Sequence, residues 1–166
     1  MAVLPDILAP GLRVVFCGTQ AGAVSARRGA YYAGPGNKFW KTLHEIGLTP
    51  ESLAPEAFRA LPDYGIGLTD VAKLTSGPDT ELRSAHFDAE GFMARMAVVR
   101  PRIVAFNGKR AAQAVLGPLR AYGLQPDRLA GADIFVLPST SGAASGFWSI
   151  EPWRELAAHL AGTGTR

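Results

Sequence analysis

Short, largely apolar runs alternate along this chain with segments of helical periodicity. Leu12-Arg-Val-Val-Phe16, Ile103-Val-Ala-Phe106 and Ile134-Phe-Val-Leu137 are rich in β-branched and aromatic residues and too short for helices, so each reads as a buried strand. Tyr64-Gly-Ile-Gly-Leu-Thr-Asp70 is a weaker strand, interrupted by glycine and ending in polar residues, and reads as an edge element carrying a site. Phe39, Trp40, Leu43 and Ile46 follow helical spacing within 37–46, with Gly47 placed to stop the helix, and a short helix is expected from Pro55 to Leu61. Asp88 is placed to cap a helix whose apolar face holds Phe92, Met93, Met96 and Val99, before Pro101 ends it. The turn Asn107-Gly-Lys-Arg leads into an alanine-rich helix closing near Gly117-Pro118, and a last helix over 151–160 carries Trp153 and Leu156. This alternation predicts an α/β fold: a central, mainly parallel sheet flanked by helices on both faces.

Composition narrows the picture. With 166 residues, 48% of them apolar, the chain suits one well-buried core; residues 1–11, with Pro5, Pro10 and Gly11, read as an N-terminal arm and 12–162 as a single domain. A formal charge of +3 with a pI near 9.3 permits a polyanionic partner without demanding one. One cysteine excludes an intramolecular disulfide, and three scattered histidines add no metal-ligand spacing, so no metal and no cofactor are expected. The amino terminus lacks the basic start and apolar stretch of a signal peptide, and no apolar run reaches the roughly 18 residues of a membrane span. A soluble, cytoplasmic monomer is the expectation. His44, His86 and His159 have no Ser or Cys partner at triad spacing, and Cys17, in a strand–turn junction, reads as a buried small hydrophobe.

Candidate chemistry gathers where apolar runs empty into small or polar residues. The first strand ends in Cys17-Gly-Thr-Gln-Ala-Gly22, followed by the aromatic loop Tyr31-Tyr-Ala-Gly-Pro-Gly-Asn-Lys-Phe-Trp40. A glycine-bracketed turn after a strand presents backbone N–H groups at the sheet's carboxyl edge, and an aromatic pair nearby can cover a flat ligand. The spacing is not that of a dinucleotide loop, and no Gly-Lys-Ser/Thr follows. The remaining segments are Gly67-Leu-Thr-Asp70, Phe106-Asn-Gly-Lys109 and Leu137-Pro-Ser-Thr-Ser-Gly142, the last opening a small-residue loop that runs to Phe147.

Together, and in this order, these segments resemble the motifs of the mismatch-specific uracil/thymine-DNA glycosylases, whose patterns read Gly-Ile-Asn-Pro-Gly, Pro-Ala-Asn-Arg-Phe-Trp, Gly-Val-Thr and Leu-Pro-Asn-Pro-Ser-Gly. The resemblance spans about residues 14–157. It implies a monofunctional glycosylase that hydrolyses the N-glycosidic bond of uracil, or a related damaged base, flipped out of DNA, releasing free uracil and leaving an abasic site. By position, Gly18, Thr19, Asn107 and Ser139 would hold the base and Tyr32 would stack on it. Gln20 stands where the family's water-holding Asn stands, and Asp70 is the carboxylate able to take the water's proton. Lys109 and Ser141 would meet phosphates, as would Arg27, Arg28 and Arg110, while Gly142, Ala143 and Ala144 form a small tip where relatives carry a larger wedge. The alternatives are a module that binds damaged or abasic DNA with weak or no glycosylase activity, suggested by Gln20, and an unrelated α/β enzyme acting on nucleosides.

Overall fold

A five-stranded sheet in the order β2-β1-β3-β5-β4 organises the chain. The computed structural model describes residues 2–78, 86–118 and 121–163. In chain order the elements are β1 (Val14–Gly18), α1 (Ala23–Arg28), α2 (Phe39–Glu45), a 3-10 helix (Pro55–Tyr64), β2 (Ile66–Asp70), α3 (Ala89–Val99), β3 (Ile103–Asn107), α4 (Lys109–Leu116), β4 (Gly123–Leu129), β5 (Ala132–Leu137), a second 3-10 helix (Gly142–Phe147) and α5 (Glu151–Thr163). β2, β1, β3 and β5 run parallel, and β4 pairs antiparallel on β5. The α/β sheet expected from the apolar runs is the one observed.

β1, β2 and β3 are buried along their whole length, so alternate side chains feed two cores. Phe16, Leu68, Ala105 and Leu137 pack with Phe39, Trp40, Phe58 and Trp153 on one face. Cys17, Val104, Phe106 and Val136 pack with Phe92, Met96, Ala111 and Ala112 on the other. The Asp88 side chain accepts from the Gly91 N–H, capping α3 as expected, but Met93 is 40% exposed and leaves the apolar face to Phe92, Met96 and Val99.

Three elements were not anticipated: α1, β4 and the 3-10 helix over Gly142–Phe147, a stretch whose sequence reads as a loop of small residues. α1 has only six residues, too few to show a helical period, and β4, Gly-Leu-Gln-Pro-Asp-Arg-Leu, is polar, contains Pro126 and shifts register between Leu124 and Arg128. Proline is tolerated there because β4 is an edge strand. β2 is the opposite edge, as its sequence suggested, yet it is buried because the N-terminal arm lies along it: Ile7 and Leu68 exchange both backbone hydrogen bonds at 2.9 Å. The arm is therefore part of the packed unit. Ser76, Gly77 and Pro78 form the loop expected after β2, while Asp79 lies outside the described residues.

The topology decides where a ligand fits. From β1 the chain passes to β2 on one side and then to β3 on the other, so the strand order reverses at β1 and a crevice opens at its carboxyl end. Gly18 is level with Asp70 there, and Asn107 with Leu137.

Candidate active site

Four connections converge on that crevice, a cavity of about 680 Å³, and the residues assigned to the site from the sequence line it, apart from Arg27 and Arg28, which lie outside its lining. The first wall is the turn after β1. The Gly18 and Thr19 carbonyls accept from the Val71 and Ala72 N–H groups at 3.0 and 2.8 Å, which binds the turn to the segment leaving β2. Gly18 is required by crowding: a Cβ here would stand 2.7 Å from Asp70 Oδ1 and 3.1 Å from the Tyr32 hydroxyl. Asp70 is thus held on the cavity floor, 4% exposed.

Gln20 lines the same wall, but its amide is engaged. Nε2 donates to the Gly77 and Pro78 carbonyls at 3.0 and 3.2 Å, and Oε1 accepts from the Thr75 hydroxyl at 2.6 Å. Three bonds to the 75–78 loop make Gln20 a clip between two walls. The extra methylene relative to Asn carries the amide into that loop.

Tyr32 forms the aromatic wall. It holds a left-handed backbone, φ 54°, and its ring packs at 4.1 Å between centroids on Phe39, itself stacked into the core around Phe16 and Trp153. The residue is only half-buried and lines the cavity. Its hydroxyl lies buried beside the Asn107 side chain without a hydrogen bond of ordinary geometry, and burial together with the Asp70 charge pushes the phenol well above the usual tyrosine range. Tyr31 turns into the core, donating to the Pro5 carbonyl and packing on Phe58.

The opposite walls come from β3 and β5. The Asn107 amide spans Thr140, donating to its hydroxyl at 2.9 Å and accepting from its N–H at 3.0 Å. Sequence reasoning missed Thr140, since only the sheet register brings it to Asn107. Gly108 has φ 105°, a conformation open to glycine, and a Cβ there would meet the Ser139 Cβ at 3.3 Å. Ser139 and Ser141 hydroxyls accept from the Ser141 and Ala143 N–H groups, a bonding pattern that uses oxygen lone pairs and not their O–H donors. Lys38 ties the aromatic loop to this one: its N–H donates to the Thr140 carbonyl and its ammonium to the Ser145 hydroxyl. Of the other basic candidates, Lys109 places its ammonium 4.4 Å over the Tyr122 ring, and Arg28 forks onto Glu56 and donates to the Ala33 carbonyl, bracing the aromatic loop.

A polar cluster that the sequence gave no reason to assemble lies along the outer edge of β2. Asp6, from the arm, accepts from the Thr69 hydroxyl at 2.7 Å and forms ion pairs with Lys73 at 2.8 Å and Arg95 at 3.2 Å. Lys73 also donates to the Tyr31 hydroxyl, and Arg95 to the Asp70 carbonyl at 3.3 Å. Among the described residues, no three His, Cys, Asp or Glu side chains group so as to hold a metal ion, and no helix is long and apolar enough to cross a membrane.

The arrangement offers a buried carboxylate, an aromatic face and a rim of hydroxyl groups around one cleft. The solved structures include a protein of similar shape: the solution NMR structure of a Methanosarcina acetivorans protein provisionally named a uracil DNA glycosylase. The two are 25% identical, with a TM-score of 0.69 over 95% of this chain and 96% of that one. The family model of the uracil DNA glycosylase superfamily matches residues 5–157, which takes in the arm's Asp6 and every wall of the cleft. By that match, the chain belongs to the uracil DNA glycosylase superfamily.

Proposed function

We propose that this protein is a monofunctional uracil-DNA glycosylase of the mismatch-specific type. The observation that carries this reading is the Asp70 carboxylate, fixed on the floor of the cleft by the missing side chain of Gly18 and flanked by the half-buried Tyr32 ring. An extruded uracil stacks on Tyr32, and the phosphates beside it take the O–H donors of Ser139 and Ser141. As the glycosidic bond lengthens, positive charge grows on the sugar and negative charge on the departing base. Asp70 offsets the first and accepts the proton of the attacking water; N–H groups at the strand ends meet the second. The Gly142-Ala-Ala tip fills little of a vacated base position, and Phe147, 77% exposed at the end of the same 3-10 helix, is the apolar side chain large enough to enter the gap.

The engaged amide of Gln20 favours one rival, a module that holds damaged or abasic DNA without efficient chemistry. Product formation separates the two. Incubated with a uracil-containing oligonucleotide in EDTA, the protein is expected to yield an abasic site that breaks only after alkali. An intact oligonucleotide supports the binding module, and scission without alkali signals an amine nucleophile instead.

A further inference from the structure

We propose that Asp6 is a positioning residue for Asp70: from the N-terminal arm it engages Lys73 and Arg95, so that these two cations at the β2 edge are balanced away from the Asp70 carboxylate. The inference rests on the reading of Asp70 as the base.

The geometry is a relay around the outer edge of β2. Thr69 and Asp70 are neighbours whose side chains leave the strand on opposite faces, and Asp6 sits where the arm crosses the edge. One Asp6 oxygen takes both the Thr69 hydroxyl and the Lys73 ammonium, and the other faces Arg95. Arg95 in turn touches the Asp70 carbonyl, and Lys73 touches the Tyr31 hydroxyl. Two side chains in the middle register these charges, one of them all four and the other the two carboxylates. The buried Cys17 thiol feels Asp70, Arg95, Lys73 and Asp6, and the Tyr31 phenol feels Asp70 and Asp6. Two carboxylates and two cations therefore share one partly buried neighbourhood, where unbalanced charge is screened less than in open water.

With Asp6 in place the cluster sums to no net charge. Without it, Lys73 and Arg95 would lean electrostatically on Asp70 alone, holding its proton affinity down and weakening it as a base. Among the described residues, the groups that share this edge with Asp70 include Cys17 from β1, Tyr31 and Tyr32 from the aromatic loop, Asp6 from the arm, Lys73 after β2 and Arg95 from α3; of these, Asp6, Lys73 and Arg95 carry charge near neutrality.

The test uses the sign of a shift. The Asp70 side-chain carboxyl carbon is titrated by NMR in the wild-type protein and in the variants Asp6→Asn, Lys73→Gln and the double substitution, alongside single-turnover cleavage of a uracil oligonucleotide over roughly pH 5 to 9. Asp6→Asn is expected to move the Asp70 midpoint down, and Lys73→Gln to move it up, each by about half to one pH unit. The double variant returns close to wild type, and the acid limb of the cleavage profile follows. A merely structural role for Asp6 would not give opposite signs or compensation. Midpoints that stay in place, or move the same way, overturn the proposal. If Asp6→Asn fails to fold, Lys73→Gln alone decides, because Asp6 then keeps Thr69 and Arg95: an Asp70 midpoint that does not rise overturns the proposal. The carboxyl titration reads Asp70 with or without activity, so shifts as expected beside a fully active Asp70→Asn protein would reject the base and not the charge balance.

Discussion

The two sides of the cleft are built differently. On the β1–β2 side polar groups are tied across the wall: Gln20 is clipped to the 75–78 loop, the Gly18 and Thr19 carbonyls are held by Val71 and Ala72, and Asp70 rests in the notch left by Gly18. On the β5 side, Gly142, Ala143 and Ala144 present almost no side chain, the bonds made by the Ser141 and Ser145 hydroxyls are local apart from the Lys38 ammonium on Ser145, and Phe147 stands out to solvent. Chemistry needs groups held to within fractions of an ångström, whereas a polymer with a variable backbone is met better by a surface with little of its own to clash. Catalysis and DNA engagement should therefore separate by side.

The sharpest way to break that division is Asp70→Asn. The substitution keeps shape and removes the base, so single-turnover cleavage is expected to fall roughly 10²- to 10⁴-fold with binding of an uncleavable uracil analogue nearly intact. Gln20→Ala should cost less, since the clip shapes the wall and does not face water activation. A larger loss at Gln20 would hand the water to the first motif. Next comes the ring between the two sides: Tyr32→Ala is expected to weaken lesion binding or single-turnover cleavage by roughly 1–3 kcal/mol, while Tyr32→Phe keeps the stack and stays within about twofold. The smallest effect belongs to the β5 side. Phe147→Ala is expected to reduce cleavage in duplex DNA by roughly tenfold or less and to leave single-stranded cleavage unchanged, because only a duplex has a gap to fill. Equal losses on both substrates would remove Phe147 from that role.

Much of the fold was legible because its strands are continuous apolar runs and its loops carry small residues at strand ends. The runs 12–16, 103–106 and 134–137 read as strands from their β-branched and aromatic residues, and once they lie parallel their carboxyl ends share an edge. β4 was hidden because its polar sequence reflects solvent exposure on an edge. The clip at Gln20 was hidden for another reason. Its partners lie more than fifty residues away and are mostly backbone carbonyls, which leave no mark on residue type. Asp6 was the least visible, since a lone acidic residue in a proline-bounded arm takes its meaning from cations at 73 and 95 that only the folded edge supplies.

The closed edge of β2 also bears on how copies of the chain meet one another. A strand with unsatisfied N–H and C=O groups is a template for any other strand, including its own twin. Here one edge is capped by Ile7 on Leu68, and the other is roughened by Pro126 and a register shift. Both lateral routes to sheet extension and aggregation are blunted, while the carboxyl rim that holds the cleft stays open.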